Sequence, residues 1–254
     1  MLLKMNFQSK ELKRETQVNV ILPNKKAENE EPCRTLWLFH GLTDNHTSWT
    51  RYTSIERYAN LYNLAVVMPN VDRSWYTDTA YGSNYFAFVT KELPQLCYRN
   101  FKGLSMDREY NIVGGLSMGG YGALKAALTY PDQYAACISL SGALDITRRD
   151  NTPYGMEEWR GIFGFEMEQL EKLKDSKHDL FTLACENCEK GLAFPKLYLW
   201  CGVDDPLLPA NQSYHAHLKA LGVEHRYEET EGHHTWKWWD LHIQTGLEYV
   251  LGNR

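Results

Sequence analysis

The sequence predicts an α/β fold, a mostly parallel central sheet with helices on both faces. Three observations carry this reading. Apolar runs of strand length recur at 35–39, 64–69, 134–140 and 196–202, as expected of strands covered on both faces. Helix-forming stretches fall between and after them, at 53–61, 82–99, 120–128, 211–221 and 238–251. Finally, Gly115-Leu116-Ser117-Met118-Gly119 joins the run Tyr110–Gly114 to the helical stretch that begins at Gly120. A strand, a Gly-x-Ser-x-Gly turn and a helix together form a nucleophile elbow. So tight a turn needs small neighbours, which Gly115, Gly119 and Gly120 supply. It holds the serine hydroxyl at a helix N-terminus, where unpaired N–H groups favour developing negative charge.

Composition sets the outer bounds. A chain of 254 residues with 43% hydrophobic and 23% charged residues suits one large domain spanning 1–254. A net charge of −5 argues against nucleic acid as a partner. No apolar stretch is long enough to span a bilayer, and the start, Met1–Lys10, lacks the pattern of a signal peptide. With six scattered cysteines, the expectation is a cytoplasmic protein without membrane contact. Cys185-Glu186-Asn187-Cys188 has C-x-x-C spacing, but no second pair follows to complete a zinc site.

In chain order, Thr16–Leu22 alternates polar and apolar, which predicts an edge strand with one wet face. The charged stretch Asn24–Pro32 reads as a hairpin loop. Thr35–Phe39 reads as a central strand running into His40-Gly41-Leu42-Thr43-Asp44-Asn45. A His-Gly turn at this place supplies the second half of an oxyanion hole, with Leu42 N–H as one donor and Met118 N–H as the other. His40 is expected to be scaffold, not base. After a helix (53–61) and a strand (64–69) comes the aromatic loop Asp72–Asp78, where Trp75 and Tyr76 are candidates for substrate contact. Gly82–Arg99 predicts a helix capped by Ser83 or Asn84 and kinked by Pro94. After the strand at 134–140, the region of about 143–192 loosens into short pieces, one of them a helix at Glu166–Lys174. Its aromatics are Tyr154, Trp159, Phe163 and Phe165, and it suits a small cap or insertion.

The strand at 196–202 ends in Val203-Asp204-Asp205, and Glu231-Gly232-His233-His234-Thr235-Trp236 precedes the last helix. The order Ser…Asp…His is that of α/β hydrolases. The carboxylate fixes the imidazole, which takes the serine proton. The residues alone leave Asp204 against Asp205 and His233 against His234 open. His215 and His217 lie two apart, so on a helix they do not share a face; no metal is expected.

These motifs resemble the esterase D family, in particular its small bacterial tributyrin-esterase branch. The resemblance covers most of the chain. It rests on His40–Asn45 through Trp49, Trp75–Asp78, Glu92-Leu93-Pro94, Gly115–Ala123, Cys201–Asp205 and Gly232–Trp236. It implies that the acid is Asp205, the last residue of a Gly-x-x-Asp motif, and that the base is His234, in a motif similar to Gly-Gly-His-x-Trp. His233 stands where the family commonly has its second glycine. It also implies an α/β-hydrolase fold, a serine carboxylesterase of short acyl chains, no cofactor, and a small-molecule ester as partner. Trp236 joins Trp75 and Tyr76 as a candidate substrate contact. Deacetylation or deferuloylation of carbohydrates is the substrate expectation. An S-formylglutathione hydrolase-like thioesterase, an acyltransferase and a non-catalytic binding domain are the alternatives. His40 points away from the first, whose oxyanion turn normally lacks histidine. The oligomeric state is not readable, and a homo-oligomer stays open.

Overall fold

The computed structural model describes residues 1–24, 31–80, 82–147, 156–164 and 171–252. Among them eight strands form one sheet: β1 (Leu2–Ser9), β2 (Arg14–Ile21), β3 (Arg34–Phe39), β4 (Leu64–Pro69), β5 (Asn111–Leu116), β6 (Ala136–Leu140), β7 (Lys196–Gly202) and β8 (His225–Thr230). Their spatial order is β1-β2-β4-β3-β5-β6-β7-β8. β2 runs antiparallel to both β1 and β4, and every pairing from β4 to β8 is parallel. The helices are α1 (Ser48–Tyr52), α2 (Ile55–Leu61), α3 (Tyr85–Ala87), α4 (Leu93–Asn100), α5 (Met118–Thr129), α6 (Met156–Phe163), α7 (Leu180–Glu189), α8 (Leu208–Ala220) and α9 (Trp236–Leu251).

Both faces of the central strands are apolar because both are covered. Trp37 and Phe39 of β3 face a core shared with α4, α5, α7 and α8, while Leu36 and Leu38 face a second core built by α1, α2 and α9. Each such fully buried side chain contributes roughly 1.5–3 kcal/mol through the area it removes from water. None of the described helices is long and apolar enough to cross a membrane.

Several expectations change. β2 is not the edge: β1 lies outside it, registered from Leu2 opposite Ile21 to Ser9 opposite Arg14. Leu3, Met5 and Phe7 alternate with Lys4, Asn6 and Gln8, a period-two pattern too weakly apolar to read alone. The Glu92 carboxylate ties this hairpin down, accepting from the Ser9 hydroxyl at 2.5 Å and the Lys10 N–H at 2.7 Å. The segment after β2 is no hairpin loop, since β4 separates β2 from β3; its residues 25–30 lie outside the described residues.

The helical backbone runs unbroken from Tyr85 to Asn100, αR at both junctions, and the irregularity associated with Pro94 is a π-helical turn, Phe88–Glu92, immediately before α4. Asn84 occupies the N-cap position without a side-chain cap bond. Within 143–192, α7 packs into the core beside α5. Leu180, Leu183 and Ala184 are buried, and the Asn187 amide donates to the Leu128 carbonyl of α5 at 2.8 Å. The expected helix at Glu166–Lys174 lies largely outside the described residues, as do Tyr154 and Phe165; 171–173 form a single 3₁₀ turn.

Candidate active site

The elbow is built by close backbone approach. Ser117 adopts φ 53° and ψ −120° between β5 and α5, a conformation that side-chain-bearing residues rarely hold and that typically costs about 1–3 kcal/mol. A Cβ on Gly115 would sit 2.4 Å from the Gly119 carbonyl oxygen, and one on Gly119 would sit 2.5 Å from that of Phe39. Nothing larger than glycine fits at either place. The Ser117 N–H donates to the Leu140 carbonyl at 2.9 Å, which fixes the turn to β6.

Three distant side chains meet above the strand ends. The Ser117 hydroxyl donates to His234 Nε2 at 3.0 Å, and His234 Nδ1–H donates to Asp205 at 2.9 Å (Oδ2) and 3.1 Å (Oδ1). The Asp205 side chain is fully buried, and its Oδ1 also accepts the Leu207 N–H at 2.8 Å. Trp239 stands edge-on to the imidazole at 4.9 Å, and its indole N–H donates to the Ser141 hydroxyl at 3.1 Å. Asp204 and His233 are exposed and take no part. Two loops bring the acid and the imidazole together. The Val203 N–H donates to the Thr230 carbonyl and the Asp204 N–H to the Gly232 carbonyl, which extends the β7–β8 pairing. A Cβ on Gly202 would lie 2.3 Å from the Gly232 oxygen.

The His40–Gly41–Leu42 turn faces the elbow across a cavity of about 530 Å³, whose lining includes Leu42, Trp75, Ser117, Met118, His234 and Trp236. Met118 is the first residue of α5, so its N–H is one of those a helix leaves unpaired. His40 is a buried scaffold residue. Its Nδ1–H donates to the Gly41 carbonyl at 2.7 Å while Nε2 accepts the Val71 N–H at 3.1 Å. Burial lowers its pKa to about 4, so both bonds belong to the neutral ring. The Asp44 carboxylate lines the cavity and accepts the Gly41 N–H at 3.3 Å; burial raises its pKa. A more polar groove of about 590 Å³ shares Leu42, Thr43 and Asp44 with the cavity and continues over Gln17, Asn45, Asn70 and Arg73.

Of the three aromatic candidates, Trp75 and Trp236 line the cavity. Tyr76 does not. It is fully buried, stacked on Phe39 at 4.6 Å, and its hydroxyl donates to the His40 carbonyl at 3.0 Å. It lies beneath the oxyanion turn because α5 offers Gly122 there; a Cβ at that position would fall 2.3 Å from the Tyr76 ring. Trp159 is buried behind Trp75, 5.4 Å away. Sequence reasoning missed Asp44, which the His-Gly turn could have flagged, and Pro206 and Leu207, which carried no signal. Among the described residues no three His, Cys, Asp or Glu side chains group as metal ligands.

The Esterase family matches residues 9–249. An acetyl esterase of Caldicellulosiruptor saccharolyticus is 33% identical, over 98% of this chain and 97% of its own. The substrate-bound structure of the fluorophosphonate-binding serine hydrolase FphF of Staphylococcus aureus superposes with a TM-score of 0.90 at 31% identity, covering 100% of this chain and 99% of that one. The S-formylglutathione hydrolase FrmB of the same organism gives 0.89 at 32% identity, with 99% of each chain covered. On these grounds the chain belongs to the esterase family, as an α/β-hydrolase-fold serine hydrolase of carboxylic esters.

Proposed function

We propose that Ser117 is the nucleophile, His234 the general base and acid, and Asp205 the group that orients and stabilises the imidazolium. The continuous hydrogen-bonded path from the Ser117 hydroxyl through His234 to Asp205 carries this reading. Ser117 Oγ attacks the ester carbonyl as its proton passes to His234 Nε2. The carbonyl oxygen takes the negative charge between the Leu42 and Met118 N–H groups, each donor lowering the barrier by about 2.7–4 kcal/mol. Collapse expels the alcohol, protonated by His234, and leaves an acyl-serine. Water, deprotonated by the same imidazole, then releases the acid.

The substrate we favour is a short acyl group, acetyl in size, on a polar alcohol such as a carbohydrate. Support comes from the cavity, whose walls include Trp75, Met118, Ala143 and Leu207, and from the polar groove that continues it. The acetyl esterase relative agrees. Six unpaired cysteines suit a reducing, cytoplasmic setting. Fluorophosphonate labelling followed by peptide mass mapping tests the nucleophile, with the adduct expected on the Ser117 peptide. A panel of acetylated sugars, methyl ferulate and p-nitrophenyl esters ranks the alcohols. The likeness to FrmB favours a second reading, a thioesterase; S-formylglutathione turning over faster than every oxygen ester would select it. Adding glycerol or trehalose and analysing the products separates acyl transfer from hydrolysis.

A further inference from the structure

On the helix that starts at the elbow lies a buried amine for which hydrolysis itself has no use. Lys125, two turns into α5, is 2% exposed. Its three N–H groups meet three acceptors: the Tyr76 carbonyl at 3.1 Å, Thr77 Oγ1 at 2.8 Å and His178 Nδ1 at 3.1 Å. The Thr77 hydroxyl spends its own proton on the Trp75 carbonyl at 2.9 Å, which leaves its oxygen free to accept. Burial, and then the neighbouring Lys125 charge, lower the His178 pKa to about 3, so that ring accepts as a neutral imidazole. The faces of Phe86 and Tyr121 lie 4.8 and 5.6 Å from the ammonium. Its contacts are thus dipoles and rings rather than a carboxylate, and burial lowers its pKa to about 7.

The segment it grips is strained. Trp75 and Tyr76 are consecutive bulky residues with φ of 52° and 47°, in the left-handed region that such side chains avoid. This strain turns the Trp75 ring into the cavity wall and drops the Tyr76 ring onto Gly122, with its hydroxyl on the His40 carbonyl. An apolar side chain of similar volume would fill the space under the turn with less desolvation. It would also leave the Tyr76 carbonyl without its donor and let the turn relax.

We propose that Lys125 is a positioning residue for the oxyanion turn, acting through the Trp75–Thr77 segment and the Tyr76 hydroxyl on His40. The inference rests on the active-site reading above. It predicts that Lys125→Met and Tyr76→Phe lower kcat with little change in KM, because oxyanion geometry matters most in the transition state.

The test measures kcat and KM on p-nitrophenyl acetate for both single variants, the double variant and Ser117→Ala. Competent sites are counted by end-point fluorophosphonate titration, so that unfolded protein does not enter the rate. The expected result is a kcat loss of about tenfold in Lys125→Met and somewhat less in Tyr76→Phe, with KM within about threefold. The double variant should match the more impaired single within about twofold, because both act along one path. A kcat per titrated site equal to the parent's in Lys125→Met, or fully multiplicative losses, overturns the proposal. Should Lys125→Met not fold, Tyr76→Phe and Thr77→Val decide, and an unchanged kcat in both overturns it. Turnover surviving in Ser117→Ala refutes the site reading and this proposal together. An inactive Ser117→Ala beside an unaffected Lys125→Met refutes only the role of Lys125.

Discussion

Two tight turns meet near the cavity, and both hold bulky or functional residues at positive φ: Ser117 in one, Trp75 and Tyr76 in the other. They manage that strain by different means. The elbow is stabilised by omission, with glycines at 115 and 119 letting backbones touch where a Cβ would collide. The Trp75–Tyr76 turn is held by addition, through the Lys125 ammonium, the stacked Phe39 ring and the hydroxyl of the adjacent Thr77. The first arrangement writes itself into the sequence as spaced glycines. The second uses Phe39, Thr77 and Lys125, up to 86 positions apart, and leaves no local pattern.

The comparison can be broken at the elbow first. Ser117→Ala should reduce kcat/KM on p-nitrophenyl acetate by about 10⁴-fold or more, with a thermal midpoint close to the parent's. Asp205→Asn should cost about 10⁴-fold in kcat by favouring the wrong imidazole tautomer, whereas Asp204→Asn, exposed and outside the hydrogen-bonded path from Ser117, should stay within about twofold. Equal losses in the two would overturn the choice between these neighbours.

Where the Trp75–Tyr76 turn packs on α5 the expected effects are smaller and fall on stability. Gly122→Ala places a methyl against the Tyr76 ring and should destabilise by about 1–3 kcal/mol, read as a lower urea midpoint at unchanged m-value.

Acid should weaken the fold. Burial lowers the pKa of His40 to about 4, of His242 to about 4 and of His178 to about 3. The unfolded chain protonates its histidines near pH 6.5 while the folded one does not. The histidine contribution is therefore complete above about pH 6.5 and is lost as the pH drops toward 4, with His40 alone accounting for on the order of 3 kcal/mol. Lys125, with a folded pKa of about 7, adds a loss of the same sign between pH 10.5 and 7. Urea melts at pH 7.5 and 5.0 check the sign. A midpoint that does not move, or that rises in acid, would contradict it.

How much was legible follows the same division. The parallel strands, the elbow and the order of Ser, Asp and His are local features, and the fold read from them agrees with the observed sheet. The choice of Asp205 and His234 needed the family resemblance, because adjacent identical residues carry no periodicity that separates them. β1 escaped notice because an outer strand buries one face only partly, so three apolar residues in alternation did not rise above background. Tyr76 was misplaced because an aromatic in a loop above strand ends reads the same whether its ring faces the ligand or the core. Only the glycine at 122, one turn up a helix 46 residues later, decides it.

The contact between Gly202 and Gly232 has a consequence for how this site can change. Acid and imidazole hang from adjoining strands whose tips are laced together past the end of the sheet, so neither can drift without dragging the other. Variation, natural or engineered, is free to reshape the walls around the serine. The 200–235 stretch has to be inherited, or grafted, whole.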